Sequence, residues 1–224
     1  MQNIFVGSNT PQGFYGFYEE QLLAAERVYI LKGGPGTGKS TLIKKIAKKA
    51  QELEMEGELW HCSGDPLSLD GVYLTEQKTV VVDGTYPHAL EANYPGLKEQ
   101  IVALGDHIDT SIIKTNYEEI KELLNRKKSH FNSAYCQINS ALCNLRAIYA
   151  PYERAIKSDK ITQLATSICN HIRTAYPIRR QFSTSLTPDG FITYKDNLEG
   201  KQIIALKASS LTITKKFLST LQNM

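Results

Sequence analysis

The residues with the clearest chemical potential form one short run, in which glycines surround a lysine and a serine. The run reads Gly33-Gly34-Pro35-Gly36-Thr37-Gly38-Lys39-Ser40. It follows an apolar, β-branched segment at 28–31 and precedes a segment whose apolar residues have helical spacing. A strand, a glycine-rich loop of this pattern and a helix together predict a phosphate-binding P-loop.

The residue types in this loop suit a nucleoside triphosphate. Glycines let the backbone adopt positive φ angles and approach phosphates closely, and the N–H groups at the start of the helix attract anions. We expect Lys39 to reach the β- and γ-phosphate oxygens and Ser40 to offer its hydroxyl to Mg²⁺. The predicted nucleotide-binding residues are Gly33, Gly34, Pro35, Gly36, Thr37, Gly38, Lys39, Ser40 and Thr41.

Asp83 is the candidate carboxylate for binding the metal ion of this site. The segment 78–83 predicts an apolar strand that ends in an acid, the Walker B pattern. Because the carboxyl ends of the strands share one edge of a doubly wound sheet, we expect Asp83 beside Ser40, where it holds Mg²⁺ through water. The alternative is a strand-terminal aspartate that caps a turn. Lys39 and Asp83 are the main catalytic candidates.

Two absences shape the expected activity. Gly84 follows Asp83 where many efficient ATPases carry a water-activating glutamate, and the sequence contains no Asn-Lys-x-Asp element for guanine. We therefore expect ATP rather than GTP as the nucleotide, and hydrolysis that is slow or conditional. Three classes of function stay open: an ATPase, a small-molecule kinase, and a nucleotide-dependent binding module with little turnover.

Three further residues are candidates for substrate or water handling. Asp65 and Asp70 lie in a turn-rich segment after a predicted strand at 58–62, and His88 follows the strand that ends in Asp83. Since such segments emerge near the γ-phosphate, Asp65, Asp70 and His88 complete the set of catalytic candidates. The alternatives are turn formation by Asp-Pro and Asp-Gly, and an ordinary loop position for the histidine.

The composition is that of an ordinary globular protein. The 224 residues are 42% hydrophobic and 22% charged, with a net charge of +3. This charge gives no indication of a nucleic-acid partner, and no apolar run reaches the roughly 20 residues that span a bilayer. With four scattered cysteines and no signal-like N-terminus, we expect a reduced, cytoplasmic protein without a membrane partner.

A heptad-like stripe predicts a long helix in the second half of the chain. Apolar residues recur every three or four positions over 113–148, interrupted by Lys127, and the helix is expected to end before Pro151. A second helix fits 159–175. Together they predict an antiparallel helical hairpin that either packs on itself and the core or serves as a lid, a homo-oligomer contact or a protein-partner arm. Candidate charge-stabilising arginines on this side are Arg173, Arg179 and Arg180.

The chain also contains an internal repeat. Residues 5–14 and 182–191 share Phe, Ser, Thr, Pro, Gly and Phe at a constant offset, and 28–32 matches 203–207 as an apolar strand. The glycines of the loop are missing after this second strand, so the second copy should not bind a triphosphate. The C-terminal end of the chain corresponds to the helix after the loop.

These motifs resemble a bacterial family of uncharacterised proteins with two tandem P-loop modules, usually described as ATPases or nucleotide-binding proteins. The resemblance covers nearly the whole chain. Besides the P-loop, its carriers are Thr10-Pro11-x-Gly13-Phe14, His61-Cys62-Ser63-Gly64-Asp65-Pro66, Leu69-Asp70-Gly71, and Asp83-Gly84-Thr85 with Pro87-His88. The family implies a P-loop NTPase fold and ATP with Mg²⁺; the eroded, shortened second module departs from its pattern.

The sequence as a whole predicts an α/β protein: a P-loop NTPase three-layer sandwich with a mostly parallel sheet and a helical hairpin insertion. The expected domains are a nucleotide-binding core at 1–110, the hairpin at 111–177, and a degenerate second-module remnant at 178–224 that packs on the core. The expected function is ATP binding with Mg²⁺-dependent hydrolysis.

Overall fold

The computed structural model describes residues 1–171, 179–198, 200, 203–208 and 210–222. The chain divides into two compact units, one formed by Met1–Cys136 with Arg179–Glu199 and the other by Gln137–Ile178 with Gly200–Met224. The domain limits expected from the sequence rest on residue patterns and stay predictions.

A six-stranded sheet forms the centre of the first unit. The strands and helices of this unit, in chain order, are β1 (Gln2–Ile4), β2 (Gly7–Thr10), β3 (Gly13–Gly16), α1 (Tyr18–Leu22), β4 (Arg27–Lys32), α2 (Lys39–Glu52), β5 (Gly57–His61), β6 (Leu69–Leu74), β7 (Thr79–Asp83), β8 (Glu99–Ala103) and α3 (Thr110–Thr115), with β9 (Thr184–Thr187) and β10 (Gly190–Thr193) later in the chain. The strand order is β1-β5-β6-β7-β4-β8. Neighbours pair in parallel except at β6, which is antiparallel to β5 and β7. The protein is therefore mixed α/β with a mostly parallel central sheet.

Buried apolar side chains of the central strands point to both faces of the sheet, and each face is packed against a hydrophobic layer. Val28 and Ile30 of β4 are buried in the core on one face. Leu31 packs on the opposite face, where α2 presents Ile43 and Ala47. Side chains alternate across a strand and recur every three to four residues along one helix face, so one strand can fill two core layers.

Three expected strands are confirmed, and one expected turn is wrong. β4, β5 and β7 form where the sequence predicts strands, and α2 follows the loop. The segment around Asp70, expected to be a turn-rich loop, is the start of β6. Its Asp-Gly pair favours a turn locally, but β5 and β7 pair with β6 on both sides and override that preference.

The long helix differs from its prediction at both ends. It begins after a break at Asn116, as α4 (Tyr117–Glu153), and it contains Pro151. Proline removes the N–H that would bond the carbonyl four residues earlier, and its ring crowds that carbonyl; the helix ends two residues later. A bilayer-spanning helix is absent from the described part of the chain.

The second predicted helix is present, but its main packing partner is another helix. It begins as α5 (Ser158–His171), and its expected continuation to 175 lies outside the described residues. Within the second unit α5 packs against α6 (Leu211–Gln222), where Ala165 and Phe217 are buried. The sequence predicts that this helix packs against the long helix. The structure pairs it with α6 instead, because α6 also has an apolar face to bury.

The internal repeat corresponds to two similar hairpins in the first unit. β2 pairs with β3, and β9 pairs with β10, both antiparallel. In each turn a threonine hydroxyl donates to the carbonyl of a positive-φ glycine, Thr10 to Gly13 at 2.7 Å and Thr187 to Gly190 at 2.8 Å. Residues 203–208, expected to repeat β4 as a strand, are irregular, since a strand needs a paired neighbour to be stable.

Equivalent residues of the two hairpin segments also contact each other. Phe5 and Phe182 exchange backbone hydrogen bonds of 3.0 and 2.9 Å. The hydroxyl oxygens of Ser8 and Ser185 lie 2.8 Å apart. Both pairs join repeat positions at the same offset of 177 residues. This is the contact pattern of a pseudo-twofold axis, so the repeat seen in the sequence is also a repeat in structure.

Candidate functional site

The glycine-rich loop joins β4 directly to α2 at the carboxyl edge of the sheet. Gly38 precedes α2 with a φ of 86°, and no side chain of the described residues caps the helix there. A Cβ on Gly33 would lie 2.6 Å from the Thr37 hydroxyl oxygen, so glycine lets the loop close tightly. The first N–H groups of α2 are therefore available to an anion. The exposed members of the predicted binding set are Gly34, Pro35, Gly36, Gly38 and Thr41.

The Lys39 ammonium lies within this loop. Its Nζ donates hydrogen bonds to the carbonyl oxygens of Gly33 (2.7 Å) and Gly34 (3.0 Å). It also lies 3.8 Å from Asp83 Oδ2, and its side chain is 10% exposed. A buried cation that is held mainly by neutral carbonyls concentrates positive charge at this loop, where it could attract an anion.

Asp83 ends β7, and the strand register places it opposite Leu31 of β4. Its Oδ1 accepts hydrogen bonds from the Thr85 N–H (2.9 Å) and the Thr85 hydroxyl (2.6 Å). Its Oδ2 faces Lys39. The two oxygens of this carboxylate therefore match the two predicted roles. Oδ1 caps the turn, and Oδ2 faces the loop lysine. Thr85 was not among the expected residues, although Asp-x-Thr spacing favours such a turn.

Ser40 is held by the strand that was expected to be a loop. Its Oγ accepts a hydrogen bond of 3.1 Å from the Leu69 N–H at the start of β6. The hydroxyl retains an acceptor lone pair and its proton for a further partner. The contact could not be predicted because a backbone donor carries no side-chain signal. The fold thus brings Lys39, Ser40 and Asp83 to one edge of the sheet, as the sequence predicts.

Asp65 takes no part in this arrangement. It is exposed, and its carboxylate accepts hydrogen bonds from the Leu67 N–H (3.2 Å) and the Ser68 hydroxyl (2.6 Å). The turn-forming alternative therefore describes Asp65 better than a catalytic role does. The geometry follows from an Asp-Pro start, which favours a local side-chain-to-backbone turn.

Asp70 and His88, in contrast, lie together in a buried cluster with Tyr18. Asp70 is 4% exposed, and its Oδ2 accepts a hydrogen bond of 2.9 Å from the Tyr18 hydroxyl. Its Oδ1 lies 3.9 Å from His88 Nε2, and the His88 ring stacks on the Tyr18 ring at 4.7 Å. Both His88 ring nitrogens are buried and have no hydrogen-bond partner among the described residues. Buried polar atoms in folded proteins are normally paired, so this exception marks an unusual site.

Burial controls the protonation of this cluster. It raises the pKa of Asp70, an effect that His88 opposes and the charge of Asp83 reinforces. It also raises the pKa of Tyr18 well above its ordinary value, and the pKa of Cys62 to about 12. Cys62 is therefore a protonated thiol at neutral pH rather than a nucleophile. An aspartate with a raised pKa within reach of the Asp83 charge is typical of functional sites.

A surface cavity of about 360 Å³ borders the cluster. Tyr18 and His88 form part of its wall, together with the segments 14–20 and 87–90. Its lining combines aromatic side chains with the charged groups of Glu19, Glu20 and Arg180. The cavity was not predicted because its two walls are far apart in the sequence.

The candidate arginines are engaged in ion pairs. Arg179 Nη2 lies 2.6 Å from Glu58 Oε2, and Arg180 Nη2 lies 2.7 Å from Glu20 Oε2. Glu58 is buried, so its pairing with Arg179 satisfies a charge that would otherwise be costly. Arg173 lies outside the described residues. Ion pairs with glutamates therefore explain the positions of both described arginines without a catalytic role.

No family model matches this sequence, and no curated protein or solved structure is significantly similar to it. The fold defines a mixed α/β protein with a mostly parallel sheet. The resemblance to the tandem P-loop family stays a prediction, and the function is inferred from the geometry of the site.

Proposed function

We propose that this chain is a P-loop NTPase that binds ATP with Mg²⁺ and hydrolyses it slowly. The observation that carries the proposal is the position of Lys39, which bonds the loop carbonyls at 2.7 and 3.0 Å and lies 3.8 Å from Asp83. Phosphate oxygens would replace neutral carbonyls with charged acceptors, and charge-assisted hydrogen bonds are about twice as strong as neutral ones. The proposal includes the three-layer sandwich and the tandem P-loop ancestry expected from the sequence.

The residues at the sheet edge fit a Mg²⁺ that is held jointly with a nucleotide. Ser40 Oγ would be its direct oxygen donor, and Asp83 Oδ2 would hold it through water. The described residues contain no cluster of three or more His, Cys, Asp or Glu that could hold a metal by itself. This suits Mg²⁺, which keeps several waters and takes few protein ligands besides phosphates. Bound there, Mg²⁺ would neutralise phosphate charge, while Lys39 and the loop amides hold and orient the phosphates.

The surroundings of Asp83 favour slow hydrolysis. A Cβ on Gly84 would lie 2.3 Å from Ile30 Cγ2, so the core leaves no room for the glutamate that activates water in efficient ATPases. Asp65 is bound within its own turn, and Asp70 and His88 are buried. Water activation therefore requires a rearrangement of these groups or a contribution from a partner.

Calorimetric titration with Mg·ATP tests the proposal. Lys39→Ala should weaken binding by about 100-fold, since it removes charged hydrogen bonds to phosphate. Lys45→Ala is the matched control, because it removes the same charge from an exposed position of α2; it should change the affinity by less than about threefold. Equal affinity of Lys39→Ala and the wild type, with both proteins folded, would refute the P-loop assignment.

A small-molecule kinase is the second candidate, favoured by the cavity beside Asp70 and His88. The products distinguish the two functions. An ATPase releases ADP and phosphate without an acceptor, whereas a kinase forms ADP without free phosphate and requires a metabolite mixture. Tight ATP binding with neither product would indicate a binding module with little turnover.

A further inference from the structure

The carboxylate of Asp83 is held from one side by a single residue, Thr85. Its Oδ1 accepts hydrogen bonds from the Thr85 N–H (2.9 Å) and from the Thr85 hydroxyl (2.6 Å). An ionised carboxylate has two oxygens, and both only accept hydrogen bonds. Both Thr85 donors occupy Oδ1, while Oδ2 lies 3.8 Å from Lys39 Nζ, beyond hydrogen-bond distance. The contacts of Thr85 therefore determine which oxygen of Asp83 faces the proposed metal site.

The turn after β7 needs only one of these two hydrogen bonds. A side-chain oxygen that accepts the N–H two residues ahead forms an Asx turn, and Asp83 makes this bond with the Thr85 N–H. The Thr85 hydroxyl adds a second, charge-assisted hydrogen bond to the same oxygen. Turn formation alone does not require this second bond, so the hydroxyl calls for another explanation.

The backbone around Thr85 is fixed by hydrogen bonds of its own. The Gly84 N–H donates to the Leu31 carbonyl of β4 at 3.0 Å, and the His88 N–H donates to the Thr85 carbonyl at 3.1 Å. Thr85 itself is half-buried. The hydroxyl thus reaches the carboxylate from a backbone that the central sheet holds in place.

We propose that Thr85 is a positioning residue for the Mg²⁺ site: its hydroxyl holds the Asp83 carboxylate so that Oδ2 is available to a metal-bound water. This role rests on the proposed function, because it belongs to the same site. Thr85 acts through Asp83, to which it donates its hydroxyl proton. Residues that orient a metal ligand contribute about 10-fold to 100-fold to metal affinity.

The gain in ATP affinity on addition of Mg²⁺, measured by calorimetry, tests this role. Thr85→Val removes the hydroxyl and keeps the N–H of the turn, and it should reduce the gain by about 10-fold. The affinity for ATP without Mg²⁺ should stay unchanged, because Lys39 and the loop amides are intact. Thr85→Ser retains the hydroxyl and should show the gain of the wild type. Thr79→Val is the matched control, because the Thr79 hydroxyl bonds the Gln77 carbonyl (2.8 Å) at the other end of β7.

A double-mutant cycle with Asp83→Ala distinguishes positioning from a direct contact with the metal or nucleotide. Without the carboxylate, the Thr85 hydroxyl has nothing to orient, whereas Ser40 and the phosphates still hold the metal. Thr85→Val should therefore cause no further loss of the Mg²⁺-dependent gain in the Asp83→Ala background. Circular dichroism checks that each variant is folded.

The outcomes distinguish the role of Thr85 from the proposed function. A wild type with a Mg²⁺-dependent gain and a Thr85→Val variant with an equal gain would overturn the role of Thr85 and leave the proposed function standing. A Thr85→Ser variant as impaired as Thr85→Val, or additive losses in the double-mutant cycle, would overturn it as well. A wild type that does not bind ATP, or shows no gain with Mg²⁺, would refute the proposed function and the role of Thr85 with it.

Discussion

The two repeats begin alike and continue differently. Both hairpins, β2–β3 and β9–β10, use the same threonine–glycine turn. After the first hairpin the chain enters β4, which lies between β7 and β8 in the sheet, and passes through the glycine-rich loop into α2. After the second it passes through the irregular residues 203–208 into α6. The hairpin depends only on local interactions, whereas the glycine-rich loop depends on a paired strand that holds it and on glycines that let it close tightly.

The serines that follow the two loops give the largest expected contrast. Ser40 faces the proposed metal site, whereas the Ser210 hydroxyl accepts a hydrogen bond of 3.3 Å from the Ile213 N–H at the start of α6. Ser40→Ala should reduce the Mg²⁺-dependent gain in ATP affinity by about 10-fold to 100-fold. Ser210→Ala should leave ATP affinity unchanged and lower the free energy of unfolding by about 1 kcal/mol, since it removes a helix cap. Calorimetry measures the ATP affinity, and urea unfolding measures the free energy of unfolding. A loss of ATP affinity in Ser210→Ala would show that the two serines do not differ in this way.

The glycines in the two hairpin turns test whether the turns of the two repeats are equivalent. Gly13 and Gly190 have φ angles of 104° and 97°, and a Cβ at either position would meet nothing within 4 Å. Alanine at either site is therefore penalised by backbone strain rather than by a clash. Gly13→Ala and Gly190→Ala should each lower the free energy of unfolding by about 1–2 kcal/mol. Urea unfolding of both variants checks this, and a clearly unequal pair would show that the two turns are not equivalent.

The smallest expected effect concerns the contact between the repeats. The Ser8 and Ser185 hydroxyls form a buried pair at 2.8 Å. Ser8→Ala and Ser185→Ala should each lower the free energy of unfolding by about 1 kcal/mol, because each leaves a buried hydroxyl without its partner. The double variant should lose less than the sum, by about 0.5–1 kcal/mol. Strict additivity in the double-mutant cycle would mean that the two copies are not coupled at this point.

The parts of the site that lie in one run of sequence could be predicted. The loop around Lys39 has its strand, glycines and helix within a few residues, and Asp83 follows an apolar strand whose end marks it. Their meeting at one edge follows from parallel pairing of β4 with β7. Local pattern and the rule for parallel sheets are sufficient for these residues.

The buried cluster could not be predicted, because it depends on pairing between distant segments. Asp70 is buried since β6 inserts antiparallel between β5 and β7, although its sequence favours a turn. Tyr18 comes from a short helix and His88 from the loop after β7, and no spacing in the chain relates them. The packing of Gly84 against Ile30 is likewise a tertiary effect. The sequence identified Asp70 and His88 as candidates but not the contact between them.

The two repeats differ most in the proposed function: we propose that the first binds a nucleotide and that the second does not. Calorimetric titration of Mg·ATP into the wild type, Lys39→Ala and Lys215→Ala tests it most directly, because Lys215 is an exposed lysine of α6 in the second repeat. We expect a single binding event per chain, lost in Lys39→Ala and retained in Lys215→Ala. Two binding events per chain, or binding that survives Lys39→Ala and disappears in Lys215→Ala, would contradict it.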